Sequence, residues 1–397
     1  MNLVMKIGMD GTKNNIMKNG ELKLYRHQQN FKDTMQDNML LVWEGGLGKT
    51  VAACVWLKDG RDADALVVCP KRVVKKWEKE LVKWGTKGTV VSKENFKKMD
   101  HRSYSALVVD EADEFASPLF TPQRSKLSES MYNLIRSNPS MPRLLLTATP
   151  IRSTPWNLHT LLCFMGKYID WKKWREHFFV LQKRGYNPRM AWYPVNGWQK
   201  KIQPTLKKYA DIVLLKDCVD DVPPITEEIV HVKNPVFVNE EWEGSKAFIE
   251  EHKHEQLLKA KEIIKIGKKY RKILVVAHYR EQCAQLQKEL SKDRQTFMVR
   301  GGIKDQEAII QEAQDTDECY FVVQASLGAG FDGDSFSCIV FASMSYSVRD
   351  FVQMKFRVRR IHNLHPVKYI FLNGGRCDTR VHNTIKAGRD FVPSEWN

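Results

Sequence analysis

Short apolar runs recur along the chain, and each is followed by a stretch in which apolar residues have helical spacing. The runs occupy residues 39–43, 65–69, 106–109, 143–147, 273–277, 320–323 and 338–342. Runs of this length without polar alternation are typical of strands buried on both faces, and their alternation with helices indicates parallel sheets. The sequence therefore predicts an α/β protein of the doubly wound type, in which ligands bind at the carboxyl ends of the strands.

The length of the chain indicates two domains. A chain of 397 residues is too long for one ordinary hydrophobic core. The series of predicted strands is interrupted between Pro150 and Lys272, and consecutive prolines at 223 and 224 block both a helix and a central strand. We therefore predict a first domain at 1–220 and a second at 221–397.

A candidate phosphate-binding loop follows the first of these runs. Residues 43–50 are Trp-Glu-Gly-Gly-Leu-Gly-Lys-Thr, and an Ala-rich helical run follows at 51–57. Glycines here let backbone N–H groups turn toward phosphates. The predicted nucleotide-binding residues are Gly45, Gly46, Leu47, Gly48, Lys49 and Thr50. Lys49 can reach the β and γ phosphates, and the Thr50 hydroxyl can ligate Mg²⁺. Trp43 breaks the generic pattern, which has glycine there, so a chance Gly-Lys-Thr is the alternative.

A pair of carboxylates stands at the end of a later run. The run at 107–109 leads directly into Asp110 and Glu111. In a nucleotide site Asp110 would hold Mg²⁺ through water and Glu111 would polarise the attacking water. The alternative, an acidic loop at a strand end, would have to match this order and spacing by coincidence. The two motifs together predict a site for ATP and Mg²⁺.

The charge of the chain points to a polyanionic partner. The net charge is +16, and residues 165–210 hold eleven Lys or Arg against two acids, with ten aromatic residues interleaved. Cations for a phosphate backbone and rings for stacking on bases form a nucleic-acid contact surface, to which we assign Lys172, Lys173, Lys200 and Lys201. The alternative is a helical subdomain with a solvated basic face over an aromatic core.

Further segments resemble the boxes of superfamily 2 helicases, in the same order. Residues 110–113 resemble the Walker B box, and residues 24–28 resemble the box whose glutamine reads adenine, which implies that role for Gln28. The resemblance covers about residues 22–365. It implies two tandem RecA-like P-loop lobes, each a mainly parallel sheet flanked by helices.

Two segments of the first lobe resemble boxes that contact nucleic acid or couple it to ATP. Residues 68–70, followed by Trp77, resemble motif Ia, which assigns the adjacent Lys71 to nucleic acid. Residues 146–150 match motif III, and this implies that Thr147 and Thr149 couple the ATP site to the bound strand.

The second lobe has the remaining boxes. Residues 273–278 resemble motif IV, and residues 326–332 resemble motif V, which gives Gly330 a coupling role and Asp332 a nucleotide contact. Residues 353–360 fit motif VI, with Gln353 as a coupling residue and with Arg357 and Arg360 as arginine fingers. Guanidinium groups from the opposite lobe would stabilise the charge of the phosphoryl-transfer transition state. The alternative is a solvated or phosphate-binding helix face.

Within the superfamily the chain is most similar to Swi/Snf-type DNA translocases. That family also lacks the leading glycine of the loop, and the extension of motif III through Ile151 and Arg152 is similar. Asp113 departs from the family, which usually has His there, as do residues 346–348 where the family has Trp-Asn-Pro. Helicase-like proteins of bacterial viruses have a comparably minimal core.

The resemblance implies an ATP-dependent motor that translocates on DNA, with duplex favoured and RNA open. The alternatives are a strand-separating DNA or RNA helicase, a non-catalytic nucleic-acid-binding adaptor, and an accessory subunit that works with replication, repair or packaging proteins. The eight cysteines include no Cys-x-x-Cys pair, so no structural zinc is expected. No stretch of about 18 apolar residues and no leader pattern occur, which predicts no membrane contact and a cytoplasmic location, in the host if the protein is viral.

Overall fold

The computed structural model describes most of the chain. The described residues are 17–18, 21–22, 24–99, 102–121, 124–152, 154–183, 190–219, 224–232, 253–327, 333, 335–344, 347–358 and 365–388.

Ten strands lie in the first half of the described chain. They are β1 (Met17–Lys18), β2 (Glu21–Leu22), β3 (Asn38–Trp43), β4 (Ala65–Cys69), β5 (Thr89–Ser92), β6 (Ala106–Asp110), β7 (Arg143–Thr147), β8 (Phe179–Gln182), β9 (Ala191–Pro194) and β10 (Ala210–Val213). Six of them form a parallel sheet in the order β10-β3-β7-β6-β4-β5. The pairs β1–β2 and β8–β9 are antiparallel.

Helices cover both faces of this first sheet. They are α1 (Arg26–Thr34), α2 (Lys49–Lys58), α3 (Val74–Trp84), α4 (Lys93–Phe96), α5 (Lys126–Ser137), α6 (Trp156–Phe164), α7 (Trp171–Phe178), α8 (Trp198–Tyr209) and α9 (Leu215–Cys218). Successive residues of β3 show why two layers are needed. Leu40 and Val42 belong to one core cluster, whereas Leu41 and Trp43 belong to the other. A strand buried on both faces has no polar side to give to solvent.

The second half of the described chain repeats this architecture. Its strands are β11 (Ile225–His231), β12 (Lys272–Ala277), β13 (Thr296–Val299), β14 (Cys319–Gln324), β15 (Cys338–Phe341) and β16 (Val367–Asn373), and its helices are α10 (Lys253–Gly267), α11 (Arg280–Leu290), α12 (Gln306–Asp315), α13 (Val348–Lys355) and α14 (Arg376–Gly388). The strands form a six-stranded parallel sheet in the order β11-β16-β15-β12-β14-β13. None of the described helices combines the length and the apolar character that a membrane crossing requires.

The predicted fold class, two mainly parallel sheets flanked by helices, is confirmed. Each of the predicted apolar runs overlaps a strand. The predicted interruption between Pro150 and Lys272 is wrong, because β10 and β11 lie within it and each joins a main sheet. Both are edge strands in which polar residues are half-buried or exposed, so they lack the continuous apolar run of a central strand. The domain division at residues 220 and 221 stays a prediction.

Candidate nucleotide-binding site

The predicted ATP-binding residues converge at one edge of the first sheet. The phosphate loop follows β3, Thr147 ends β7 and Asp110 ends β6, and these three strands are neighbours. In the register of the sheet Val42 pairs with Thr147, and Leu146 pairs with Asp110. Because parallel strands end at the same edge, segments far apart in sequence meet there.

The loop turns into α2 through glycines in left-handed conformations. Gly46 and Gly48 have φ of 87° and 78°, and α2 begins at Lys49. Left-handed backbone costs glycine little, and it aims the N–H groups of the turn toward the loop interior. The Lys49 ammonium donates to the carbonyl oxygens of Trp43 at 2.8 Å and Glu44 at 3.3 Å. It therefore bends back across the loop, at the helix N-terminus where anions bind.

Trp43 belongs to the strand and not to the loop, which accounts for its departure from the generic pattern. It is fully buried, and its indole N–H donates to the Asp211 carboxylate of β10 at 2.9 Å. The His27 ring packs edge-on against it, with the centroids 5.1 Å apart. The tryptophan thus ties α1, β3 and β10 together just before the chain turns.

Side chains of α1 hold the loop from behind. His27 and Gln28 both donate to the Leu47 carbonyl, at 2.8 Å and 3.3 Å. The side-chain amide oxygen of Gln28 accepts from the backbone N–H of Tyr25 at 3.0 Å. Burial lowers the pKa of His27, so the ring is neutral near pH 7 and its Nε2–H is the donor. Gln28 is thus buried against the phosphate loop, and its contact with adenine stays a prediction.

Asp110 and Glu111 stand beside the loop with different surroundings. Asp110 accepts from the Trp77 indole N–H at 2.9 Å and from the backbone N–H of Glu111 at 3.0 Å. Burial raises the pKa of the Asp110 carboxyl, and the Trp77 hydrogen bond and the Lys49 charge oppose that rise. Glu111 has φ of 52°, a left-handed conformation that is uncommon outside glycine and concentrates at functional sites.

The donor set of this edge fits Mg²⁺. A carboxylate from Asp110 and a hydroxyl from Thr50 are oxygen ligands, which Mg²⁺ prefers, and it usually takes only one or two protein ligands together with phosphate oxygens and water. Among the described residues no three His, Cys, Asp or Glu side chains gather as a dedicated metal cage. When bound, the ion would neutralise charge on the β and γ phosphates.

Asp113 connects the acidic box to motif III. Its carboxylate is fully buried, accepts from the Thr147 hydroxyl at 2.9 Å and forms an ion pair with the Arg152 guanidinium at 2.9 Å. The Thr147 hydroxyl in turn accepts from the backbone N–H of Thr149 at 3.0 Å. Asp113 thus has a cationic partner within the adjacent motif, which gives a structural basis for an acid at this position.

The second half of the chain reaches the site through α13 and the residues after it. The Gln353 amide donates to the Glu111 carboxylate at 3.2 Å. Phe356 packs so closely on Gly45 that a Cβ there would overlap its side chain. Nearer β4, the Arg72 guanidinium donates to the Ser326 carbonyl at 3.2 Å. The described part of the segment predicted as motif VI, residues 353–358, therefore lies over the phosphate loop and Glu111.

The remaining second-lobe predictions are only partly described. Arg357 follows α13, and its carbonyl accepts from the backbone N–H of Gly333 at 2.9 Å. Gly330, Asp332 and Arg360 lie outside the described residues.

The predicted nucleic-acid contacts lie on exposed surface. Lys71 is exposed on a 3-10 turn (Lys71–Val73) after β4, and Lys172, Lys173 and Lys200 are exposed on α7 and α8. Lys201 is also exposed and donates to the His177 carbonyl at 2.9 Å. The aromatic residues of this segment are of two kinds, because some rings are buried in the core and others are exposed to solvent.

Solved structures share this arrangement of sheets and helices. A structure of the Mycobacterium smegmatis helicase Lhr bound to ssDNA and AMP-PNP matches with a TM-score of 0.55 at 14% sequence identity, over 92% of this chain and 48% of that chain. This likeness shows that the two chains share a fold. This chain spans about half the length of the Mycobacterium protein.

A second structure, the Sulfolobus solfataricus SWI2/SNF2 ATPase core in complex with dsDNA, matches with a TM-score of 0.43 at 16% identity, over 96% of this chain and 93% of that chain. No protein-family model matches the sequence, and no curated protein matches it. The resemblance to helicases of bacterial viruses stays a prediction.

Sequence reasoning missed several residues that shape this site. Asp211 holds Trp43, and Phe356 covers Gly45. Asp211 lies in an edge strand without an apolar run, and Phe356 is an apolar residue within a strongly basic segment. The pairing of Asp113 with Arg152 joins residues 39 positions apart, and only the fold brings them into contact.

Removal of the Arg152 charge should destabilise the first lobe. In Arg152→Gln the buried Asp113 carboxylate loses its ion pair, and we expect the free energy of unfolding to fall by about 1–3 kcal/mol, as for a buried acceptor that loses a charged partner. Urea unfolding followed by intrinsic fluorescence measures this loss. The double variant with Asp113→Asn should regain most of the stability, because neither charge then remains. An additive loss in the double variant would contradict the pairing.

Proposed function

We propose that this protein is an ATP-driven motor that moves along nucleic acid, with duplex DNA as its preferred track. The observation that carries the proposal is the contact between Gln353 and Glu111 at 3.2 Å. It brings motif VI of one half of the chain onto the water-activating carboxylate of the other. ATP bound at the phosphate loop would then lie between the two lobes, so hydrolysis can alter how they pack.

Each residue of the site has a chemical task in this proposal. Lys49 neutralises the β and γ phosphates, and the glycine turn donates its N–H groups to their oxygens. Glu111 accepts a hydrogen bond from the attacking water and orients it. Arg357 and Arg360 stabilise the charge that develops on the transferred phosphoryl group.

Coupling to movement follows from the way in which the ATP site and the track would share structural elements. Asp113, Thr147 and Arg152 join the acidic box to motif III by hydrogen bonds, so a shift of Glu111 is transmitted to that segment. The contact of Arg72, which follows the segment predicted as motif Ia, with Ser326 of the segment predicted as motif V joins the two halves of the chain. Closing and opening of the lobes would advance one grip relative to the other.

The likeness to the Mycobacterium helicase supports this proposal at the level of fold, since that structure holds ssDNA and AMP-PNP. The net charge of +16 supports a polyanionic track, and gripping the backbone implies little sequence specificity and strong salt dependence. The second candidate function, a strand-separating helicase, is favoured by the antiparallel pair β8–β9, on which Leu181 and Trp192 are exposed.

Steady-state ATP hydrolysis tests the proposal. The purified chain is assayed alone and then with duplex DNA, single-stranded DNA or RNA of equal nucleotide concentration. Strongest stimulation by duplex DNA is expected. Stronger stimulation by single strands or RNA would instead support the strand-separating helicase, and the absence of turnover with every polymer would support the non-catalytic adaptor or a subunit that needs a partner.

The four lysines on α7 and α8 should contribute to affinity by neutralising phosphates. With Lys172, Lys173, Lys200 and Lys201 replaced by Gln, nucleic-acid binding should weaken. The slope of log affinity against log salt should flatten by about 0.9 for each duplex phosphate that the variant no longer neutralises. Fluorescence anisotropy over a salt series measures both quantities.

A control for total charge is available in α10 and the turn that follows it. The exposed residues Lys261 and Lys265 of α10, and Lys268 and Lys269 directly after it, precede β12, at the amino edge of the second sheet and away from the carboxyl ends of its strands. Replacing these four by Gln removes the same charge. An equal change of slope in both variants would assign the effect to net charge and contradict a local contact surface.

A further inference from the structure

One face of the β8–β9 hairpin is apolar, and it is buried in the core at one end and exposed to solvent at the other. In its register Phe179 lies opposite Pro194, and Leu181 lies opposite Trp192. Phe179 is buried, and its ring stacks on Trp156 with the centroids 5.0 Å apart. Alternate residues of a strand share a face, so the same face that is buried at Phe179 is exposed two residues farther along. There Leu181 is 44% exposed and Trp192 is 38% exposed.

Trp192 forms one end of a row of flat groups on the surface. The Arg175 guanidinium lies 4.3 Å from the centroid of the Trp192 ring and 5.1 Å from that of Trp171. Phe120 stacks on Trp171 at 6.4 Å with 21° between the ring planes. Cation–π and stacking contacts orient each group relative to the next. The Arg175 guanidinium thus holds the Trp192 indole in a partly exposed position.

Exposed cations lie on and beside the elements that carry this row, and the Lys172 ammonium is 5.9 Å from the centroid of the Trp171 ring. Lys172, Lys173, Lys183, Lys200 and Lys201 are exposed on α7, on α8 and directly after β8. The two acids of the segment, Asp170 and Glu176, are too few to offset them, and Asp170 caps α7 by accepting from the backbone N–H groups of Lys172 and Lys173. The charge of this surface therefore favours a polyanion over an apolar or a basic protein partner.

The exposed ring distinguishes between two forms of polyanion. In a duplex the faces of the bases are hidden within the stack, and backbone contacts need only cations. Unpaired bases present their faces, and aromatic side chains stack on them without regard to sequence. A partly exposed indole on a basic surface can stack on a base while the cations of that surface neutralise phosphates, which is what binding of unpaired nucleotides requires.

We propose that the hairpin surface, formed by Leu181, Trp192, Arg175 and the lysines of α7 and α8, binds unpaired nucleotides, with a base stacked on Trp192. The proposal rests on the proposed motor function, because a motor on nucleic acid would bring a strand to this surface, but the binding itself needs neither ATP nor hydrolysis. On a motor that tracks duplex DNA, such a surface would hold a strand where it is unpaired.

Equilibrium binding of a short single-stranded oligonucleotide and of the matching duplex, measured by anisotropy without ATP, tests this assignment. Trp192→Ala should weaken single-strand binding about tenfold, the usual loss when a stacked ring is removed, and duplex binding by less than about twofold. Trp192→Phe should restore most of the single-strand affinity because it keeps a ring. Tyr168→Ala is the matched control: Tyr168 is 93% exposed in the same basic segment, outside the row of flat groups, and its loss should change neither affinity.

Three outcomes would overturn the assignment. Equal losses for both polymers, or a loss that phenylalanine does not restore, would make Trp192 a structural residue. Unchanged single-strand binding in Trp192→Ala would leave the exposed face to a protein partner. The ATPase assay separates this proposal from the motor proposal, because binding that depends on Trp192 can stand where hydrolysis is absent, and hydrolysis can persist where that dependence fails.

Discussion

Replacing Lys49 by alanine should reduce ATP hydrolysis by a factor of about 100 to 1000 or more, the range for removal of one preorganised donor to a developing charge. The Lys49 ammonium already lies across the phosphate loop, at 2.8 Å from the Trp43 carbonyl, so it needs no large movement to meet the β and γ phosphates. Nucleic-acid binding should remain, because the assigned contacts on α7 and α8 lie outside the loop. Phosphate release in the presence of DNA and anisotropy with labelled DNA measure the two effects.

Lys58 provides the control for this experiment. It ends the same helix, α2, and is exposed in the last turn, so Lys58→Ala removes an equal charge without touching the loop. Its hydrolysis rate should equal that of the parent protein. Normal turnover in Lys49→Ala would refute the assignment of this loop as the site of ATP hydrolysis. If Lys49→Ala lost activity because it failed to fold, its circular dichroism spectrum would differ from that of Lys58→Ala.

The central strands and the loop could be predicted because their signals are local. The run at 39–43 is apolar at every residue, and Gly-Leu-Gly-Lys-Thr follows it closely, so both the strand and the turn depend on neighbours in sequence. β10 was not predicted, because its signals are not local. Its residues are half-buried at a sheet edge, and Asp211 is the acceptor for the Trp43 indole N–H. That pairing is a property of the fold, which no window of sequence contains.

The contacts between motifs were likewise beyond prediction. Asp113 departs from the family pattern, and its reason is the Arg152 guanidinium, which lies 2.9 Å from its carboxylate only in the folded chain. The hairpin surface combines both cases: the abundance of cations and rings in residues 165–210 is evident in the sequence, but which rings form the core and which reach solvent depends on the register of β8 with β9.

Replacing Glu111 by glutamine should leave ATP binding intact and slow hydrolysis by a factor of about 100 to 10,000, the contribution of a positioned general base. Glutamine has the same shape, and its amide oxygen can still accept from Gln353, so the contact between the lobes survives while the basic carboxylate is removed. ATP should therefore hold the lobes closed for longer. Binding of a fluorescent ATP analogue and the lifetime of the ATP-bound complex on DNA measure these two effects.

The backbone conformation of Glu111 means that the test must distinguish a catalytic role from a structural one. Its left-handed conformation, with φ of 52°, costs free energy in a non-glycine residue and persists only where surrounding contacts impose it. Here the carboxylate is held by Gln353 and the N–H by Asp110. Glu129→Gln, on the surface of α5, removes a charge without entering this network and should hydrolyse ATP normally. If Glu111→Gln lost ATP binding as well, Glu111 would be a structural part of the nucleotide pocket, and the water-activating role would have to pass to another residue.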